Sequence, residues 1–221
     1  GMSSLMARHL GAGDRAAAGR IFAGAHGLVL AISAAAIGIW ALIGVAFVEG
    51  MAGDARVANL AQNYLRILVL GLPVQLLLGL HADALRNEGR ASVIAGLSVL
   101  VNLINIAANW LGIAVLGLGI AGSALGTVAA QGIGLALLIA MRVRSTGLLP
   151  VLREGWLTGW PRIIRLGLPL CLSFIGIAVS ASVVMLALRL HAGADHAPLV
   201  AGYGVVTRLL GFAFLPQMAI A

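Results

Sequence analysis

Residues 101–110 read VNLINIAANW, and Asn102, Asn105 and Asn109 stand three and four apart in an otherwise apolar run. On a helix of 3.6 residues per turn, that spacing stacks the three amides on one face over about two turns. An amide offers a carbonyl acceptor and an NH₂ donor, and it has no charge to gain or lose near neutral pH. Inside a bilayer it has two uses. It can hydrogen-bond to a neighbouring helix, at about 0.6–2 kcal/mol per bond, or it can line a hydrated cavity or ion site. One amide suffices for the first use, and three on one stripe raise the second. Both readings stay open on the residues alone.

Other residues with chemistry are few. Arg66 and Arg208 are the basic residues well inside apolar runs. A charge at mid-bilayer costs about 2.5–3.5 kcal/mol on insertion scales, so each must face a cavity or partner, or snorkel to the headgroups. No apolar run holds Asp or Glu near its middle, and Asp83 and Glu88 fall at an edge. The five histidines lack metal-ligand spacing, and His191 and His196 flank a loop. Ser, His and Asp form no hydrolytic motif. No catalytic residue, metal site or cofactor is therefore expected, and the chain is not read as an enzyme. Cys171 is the one cysteine, which rules out an intrachain disulfide; in an apolar stretch it reads as a small hydrophobe. GLGIAG at 117–122 matches a dinucleotide-binding fingerprint, but that motif works only between a strand and a helix facing water. Between two apolar runs it is a turn.

The elements that must position these groups follow from composition. The 221 residues are 61% hydrophobic and 10% charged, with a mean hydropathy of +1.07. A soluble domain carries about 25% charged residues. The expected fold class is an all-α polytopic membrane protein. All 14 basic residues are arginine and the net charge is +7. They are scattered between apolar runs, so membrane lipid rather than nucleic acid is the expected partner.

Charges mark the ends of the predicted spans, which lie between Arg20 and Glu49, over 58–80, between Arg165 and Arg189, and from Leu199 onward. The 51 uncharged residues between Arg90 and Arg142 are too many for one crossing, and the glycine-rich stretch 115–122 divides them in two. Residues up to Leu10 read as the tail of an earlier span. The start lacks a signal-peptide pattern and the end stops inside an apolar run, so the chain is expected to belong to a longer one. Segments 8–20, 81–90 and 142–165 hold ten arginines, and the alternate segments 49–56, 115–120 and 189–198 hold two. That asymmetry puts Arg86, Arg90, Arg144 and Arg153 in the cytoplasm and Asp54 and Asp195 outside. Gly122, Gly126, Ala130 and Gly134 recur every four residues, a stripe that admits a close neighbouring helix. Pro73, Pro169 and Pro216 each sit within a span, where a gating kink and a packing bend fit equally. LGLP occurs at 70–73 and 166–169, but in spans of opposite direction, so it is not a repeat. The long connection 142–165, with Trp156 and Trp160, suits the headgroup level and is expected to separate two bundles.

Several pieces, in order, resemble the multidrug and toxic compound extrusion (MATE) family of cation-coupled exporters. ARHLGAGDRAAAGR (7–20) resembles the family's first cytoplasmic loop, YLRILVLGLP (64–73) its fourth span and LRNEGR (85–90) the next loop. VNLINIAANW and GLGIAGSALGT (117–127) resemble its fifth and sixth spans, and IIRLGLP (163–169) its seventh. YGVVTRLLGFAFLP (203–216) resembles its eighth, closest to the bacterial branch that includes MepA.

The resemblance implies a fold of two six-helix lobes around a central cavity. Residues 1–141 would then be the N-terminal lobe from the end of span two through span six. Residues 142–161 would be a cytoplasmic interlobe connection, and 162–221 span seven with part of span eight. It also implies a cation site of Asn105, Asn109 and Thr127, with Tyr64 nearby, in which Asn109 stands where relatives carry an aspartate. Arg66, Asn102 and Arg208 are candidates for the substrate cavity. The implied function is export of drugs or toxic organic compounds by alternating access, coupled to Na⁺ or H⁺ as a transported ion. The implied setting is a multi-pass monomer in the bacterial inner membrane. Two rivals stand beside it. A lipid or polysaccharide flippase of the same superfamily would need a strongly basic cavity, for which only Arg66 and Arg208 are available. A non-transporting structural subunit would need no cavity, and inward-facing amides argue against it.

Overall fold

A computed structural model describes residues 1–52, 54–145, 155–191 and 196–220. Its helices are α1 (Met2–Gly11), α2 (Arg15–Ile39), α3 (Val45–Met51), α4 (Ala55–Asn87), α5 (Ala91–Trp110), α6 (Gly119–Ser145), α7 (Trp160–His191) and α8 (His196–Ile220). Among the described residues, five helical stretches are long and apolar enough to cross a membrane: Arg15–Met51, Ala55–Asn87, Ala91–Val115, Gly119–Arg144 and Trp160–Leu188. Each contains one of the predicted spans. Arg153, Asp195 and much of the long connection lie outside the described residues, as does the side chain of Pro216.

Local chemistry sets the boundaries. Asp14 accepts the Ala17 N–H at 2.9 Å and caps α2, and Asp54 accepts the Arg56 N–H at 3.0 Å and caps α4. The α5–α6 hairpin turns through Gly117 and Gly119, at φ 63° and 56°, a region that side-chain-bearing residues rarely enter. Two wide π-turns, Trp40–Gly44 and Leu111–Val115, were not expected from the hydropathy pattern. The first joins α2 to α3 without a break, and the second ends α5 just after Asn109.

Helix α6 packs most extensively on α4 and α5, α2 packs on α1 and α4, and α7 touches α1, α2 and α3 more lightly. The small-residue stripe of α6 explains the first contact. A Cβ at Gly122 would meet the Gly112 backbone at 2.6 Å, and one at Gly134 would meet Val101 at 2.6 Å. Ala130 between them is fully buried. The larger buried apolar cluster among the described residues, including Leu5, Met6, Phe22, Leu80, Ala84 and Ile163, gathers α1, α2, α4 and the start of α7. It lies at the arginine-rich end, where the α4–α5 turn, the end of α6 and the start of α7 meet. Large apolar side chains cover the outer surface elsewhere, as a lipid-facing bundle requires; Leu42 is 85% exposed.

Candidate functional site

The α5–α6 interface turns two of the three asparagines into a hydrogen-bonded chain. Asn109 Nδ2 donates to Asn105 Oδ1 at 3.2 Å, as their i, i+4 spacing allows. Asn105 Nδ2 donates to Thr127 Oγ1 on α6 at 3.0 Å. The Thr127 hydroxyl donates onward to the Ser123 carbonyl at 3.0 Å. Gly126 makes room for this chain, since a Cβ there would collide with Asn109 Oδ1 and the α5 backbone. Asn109 Oδ1 is buried and has no hydrogen-bond partner among the described residues. Amide orientation follows the hydrogen-bond network, and it leaves one carbonyl oxygen with both lone pairs unused. A neutral oxygen of that kind can contact a hard cation and cannot take up a proton near neutral pH.

The remaining predicted residues stand apart from the chain. Asn102 is exposed and lines a groove of about 220 Å³ with Leu78, Val101 and Gln131. One helical face therefore serves two surroundings: the amides at 105 and 109 are used against α6, and the one at 102 opens to the groove. Tyr64 is half-buried on α4, and it is not hydrogen-bonded to Asn105, Asn109 or Thr127. Arg66 on α4 and Arg208 on α8 are both exposed. Neither lines the groove that holds Asn102, so the three cavity candidates are not brought together there.

A second polar cluster, at the arginine-rich end, is absent from the sequence reading. His26 of α2 and His81 of α4, 55 positions apart, approach to 3.1 Å between their Nε2 atoms. His26 Nδ1 lies 2.8 Å from the Phe22 carbonyl. The Phe22 ring meets both imidazoles edge-on, at centroid distances of 4.5 and 5.2 Å. Arg142 of α6 sits 4.5 Å over the Phe22 ring and donates to Glu88 Oε1. That guanidinium side chain is 1% exposed and its Glu88 partner 11%. Glu88, read from sequence as an edge residue, is thus half of a buried ion pair. Beside the cluster, the Trp160 indole N–H donates to the carbonyls of Gly24 at 2.8 Å and Trp156 at 2.6 Å. Cβ atoms at Gly24 and Gly27 would meet the backbone of Thr158 and Trp156, so the segment leading into α7 seats directly on α2. Only the polarity of His26 inside a long apolar run could have signalled this cluster. Its partners come from distant positions that no local spacing connects.

Comparison with known proteins agrees with this architecture. The MatE family model matches residues 1–111, half of the chain. No curated protein matches. Among solved structures, the chain is similar to an inward-facing multidrug resistance MATE family transporter of the MOP superfamily, with a TM-score of 0.64 and 22% identity. The match covers 86% of this chain and 41% of that transporter, so the chain spans about two fifths of its length. At that identity the likeness shows the fold, and neither comparison assigns a branch. On the family match, and on a fold that agrees with it, the chain belongs to the MatE family.

Proposed function

We propose that the chain forms most of the first lobe, and the start of the second, of a cation-coupled exporter of drugs or toxic organic compounds. The carrying observation is the Asn109–Asn105–Thr127 chain, half-buried between two apolar helices and ending on a buried, unused acceptor. Packing glue would leave no buried carbonyl idle, because an unmade bond of this kind costs about 1–3 kcal/mol. A transported Na⁺ is one group that could satisfy it, and the neutral donor set favours Na⁺ over H⁺ at this position. Alternating access would come from the two lobes moving about a shared site. The exposed settings of Arg66 and Arg208 give no support to a basic flippase cavity.

The protein is a multi-pass membrane protein, and its proposed home is the bacterial inner membrane with the arginine-rich end in the cytoplasm. In a pump-deficient bacterium, the complete transporter should lower accumulation of a cationic dye, and the effect should vanish when Na⁺ and H⁺ gradients are both collapsed. Export that survives the collapse contradicts the coupling. For orientation, single cysteines at Arg86 and Arg56, in a Cys171→Ser background, should differ in labelling by an impermeant thiol reagent. Only the cysteine at 56 should react from outside.

A further inference from the structure

The cluster at the arginine-rich end contains a histidine pair that the amide chain does not use, and its hydrogen bonds fix where the protons sit. A carbonyl can only accept, so His26 Nδ1, 2.8 Å from the Phe22 oxygen, carries a hydrogen. In the neutral ring this leaves His26 Nε2 as a lone pair. His81 Nε2, 3.1 Å away, must then donate to it. Neutral His81 therefore keeps its own lone pair on Nδ1. That nitrogen is buried without a hydrogen-bond partner among the described residues, on a side chain only 4% exposed. Among the described residues no group of three or more His, Cys, Asp or Glu side chains could hold a metal ion, so a metal is a poor candidate to fill it.

We propose that His26 and His81 form a single-proton acceptor site where α2, α4 and α6 meet, with His81 Nδ1 as the atom that takes the proton. The step is a proton transfer: a hydronium ion from the aqueous side gives a proton to the Nδ1 lone pair, its O–H bond breaks and leaves water, and His81 becomes an imidazolium. Its Nε2–H bond to His26 then becomes charge-assisted and stronger. The only bond broken is that O–H bond of the donor, and His26 stays neutral. Two imidazolium rings this close would repel, so the pair takes one proton and not two.

The surroundings decide when the proton is held. Arg142 on α6 lies over the Phe22 ring that meets both imidazoles, and its charge is offset by its ion pair with Glu88. On α4, Asp83 and Arg86 bind each other at 2.7 Å with exposed side chains. On α1, Arg8 is exposed; His9 lines a separate crevice with Arg20 of α2 and Arg162 of α7. Arg165, also on α7, is exposed. The four central groups are thus neutral before uptake and carry one positive charge after it. A buried charge of that kind persists only where water or a counter-charge reaches it. Proton uptake therefore favours a hydrated arrangement of this end, and release a closed one. Gly24, which accepts the Trp160 bond, lies between Phe22 and His26. Occupancy of the pair would thereby act on the junction between the bundles, a consequence that rests on the transporter reading, whereas the proton site itself does not.

The test is ¹⁵N NMR of the histidine-labelled chain in lipid nanodiscs, alongside His81→Gln and His26→Gln. At neutral pH and above, His26 should be the Nδ1–H tautomer and His81 the Nε2–H tautomer. On acidification His81 should gain a second N–H while His26 keeps one, and His26→Gln should shift the midpoint of that change. Reversed tautomers overturn the site, as do two rings titrating independently, or a His81 Nδ1 that stays bare throughout the folded range. In the complete transporter, His81→Gln should abolish the pH dependence of efflux while efflux at fixed pH persists. An unchanged pH profile overturns the link to transport. Absence of efflux in wild type overturns the transporter reading, and the spectra still decide the proton site.

Discussion

Between α5 and α6, Asn109, Asn105 and Thr127 join neutral groups across one helix pair, whereas at the arginine-rich end His26, His81, Glu88 and Arg142 tie three helices together and include formal charges. The amide chain is half-buried and the cluster almost wholly buried in an apolar bundle, and they ask different things of it. The neutral chain needs only close approach of two helices, which the glycine stripe of α6 provides. The charged cluster needs several elements to arrive together, and it holds a guanidinium that cannot be left unbalanced. Losing a partner should therefore be severe at the arginine-rich end and moderate at the amides.

That contrast fails if Glu88→Ala is tolerated. Removing the carboxylate from a buried guanidinium should cost about 3–5 kcal/mol, seen as a large drop in melting temperature in detergent or as loss of folded protein. Next in size is Gly126→Val. Its side chain would push on Asn109 and the α5 backbone, for about 1–3 kcal/mol of overpacking. It should also break the Asn105–Thr127 bond, which Gly126→Ala would do less completely. Smaller still, Asn105→Leu should cost about 0.6–2 kcal/mol through its lost interhelical bond. Asn102→Leu, on the exposed groove, should be close to neutral. Equal losses from the two leucine variants would erase the distinction between these positions.

The same contrast explains what the sequence could reveal. The i, i+4 relation of Asn105 and Asn109 is local, so periodicity alone put both amides on one face, and the glycine stripe announced a close neighbour for α6. Resemblance to the family added Thr127. Spans were legible because long apolar runs end at charges, although α4 extends beyond its predicted 58–80 to Ala55 and Asn87. What stayed hidden depended on distant partners. Nothing near His81 in the sequence points to His26, and Glu88 reads as solvated until Arg142 arrives from α6. The separation of Asn102 from its neighbours was also illegible, because a helical face does not say where one packing contact ends and a groove begins. The π-turns at Trp40–Gly44 and Leu111–Val115 leave hydropathy unchanged and so give no periodic signal.

The central claim is that Asn105, Asn109 and Thr127 handle the coupling cation. Its most direct test is Na⁺-dependent efflux by the complete transporter, for Asn105→Leu, Thr127→Val, Asn109→Asp and Asn102→Leu at matched folded levels. Asn105→Leu and Thr127→Val should lose most of the response to a Na⁺ gradient, about tenfold or more for loss of the hydrogen bonds that orient the Asn109 oxygen. Asn109→Asp should strengthen cation dependence or add a pH dependence that persists in a His81→Gln background, because it puts a titratable carboxylate in place of the idle amide acceptor. Asn102→Leu should behave as wild type. An identical Na⁺ response in all four variants and wild type would contradict the claim and return the amides to the role of interhelical packing bonds.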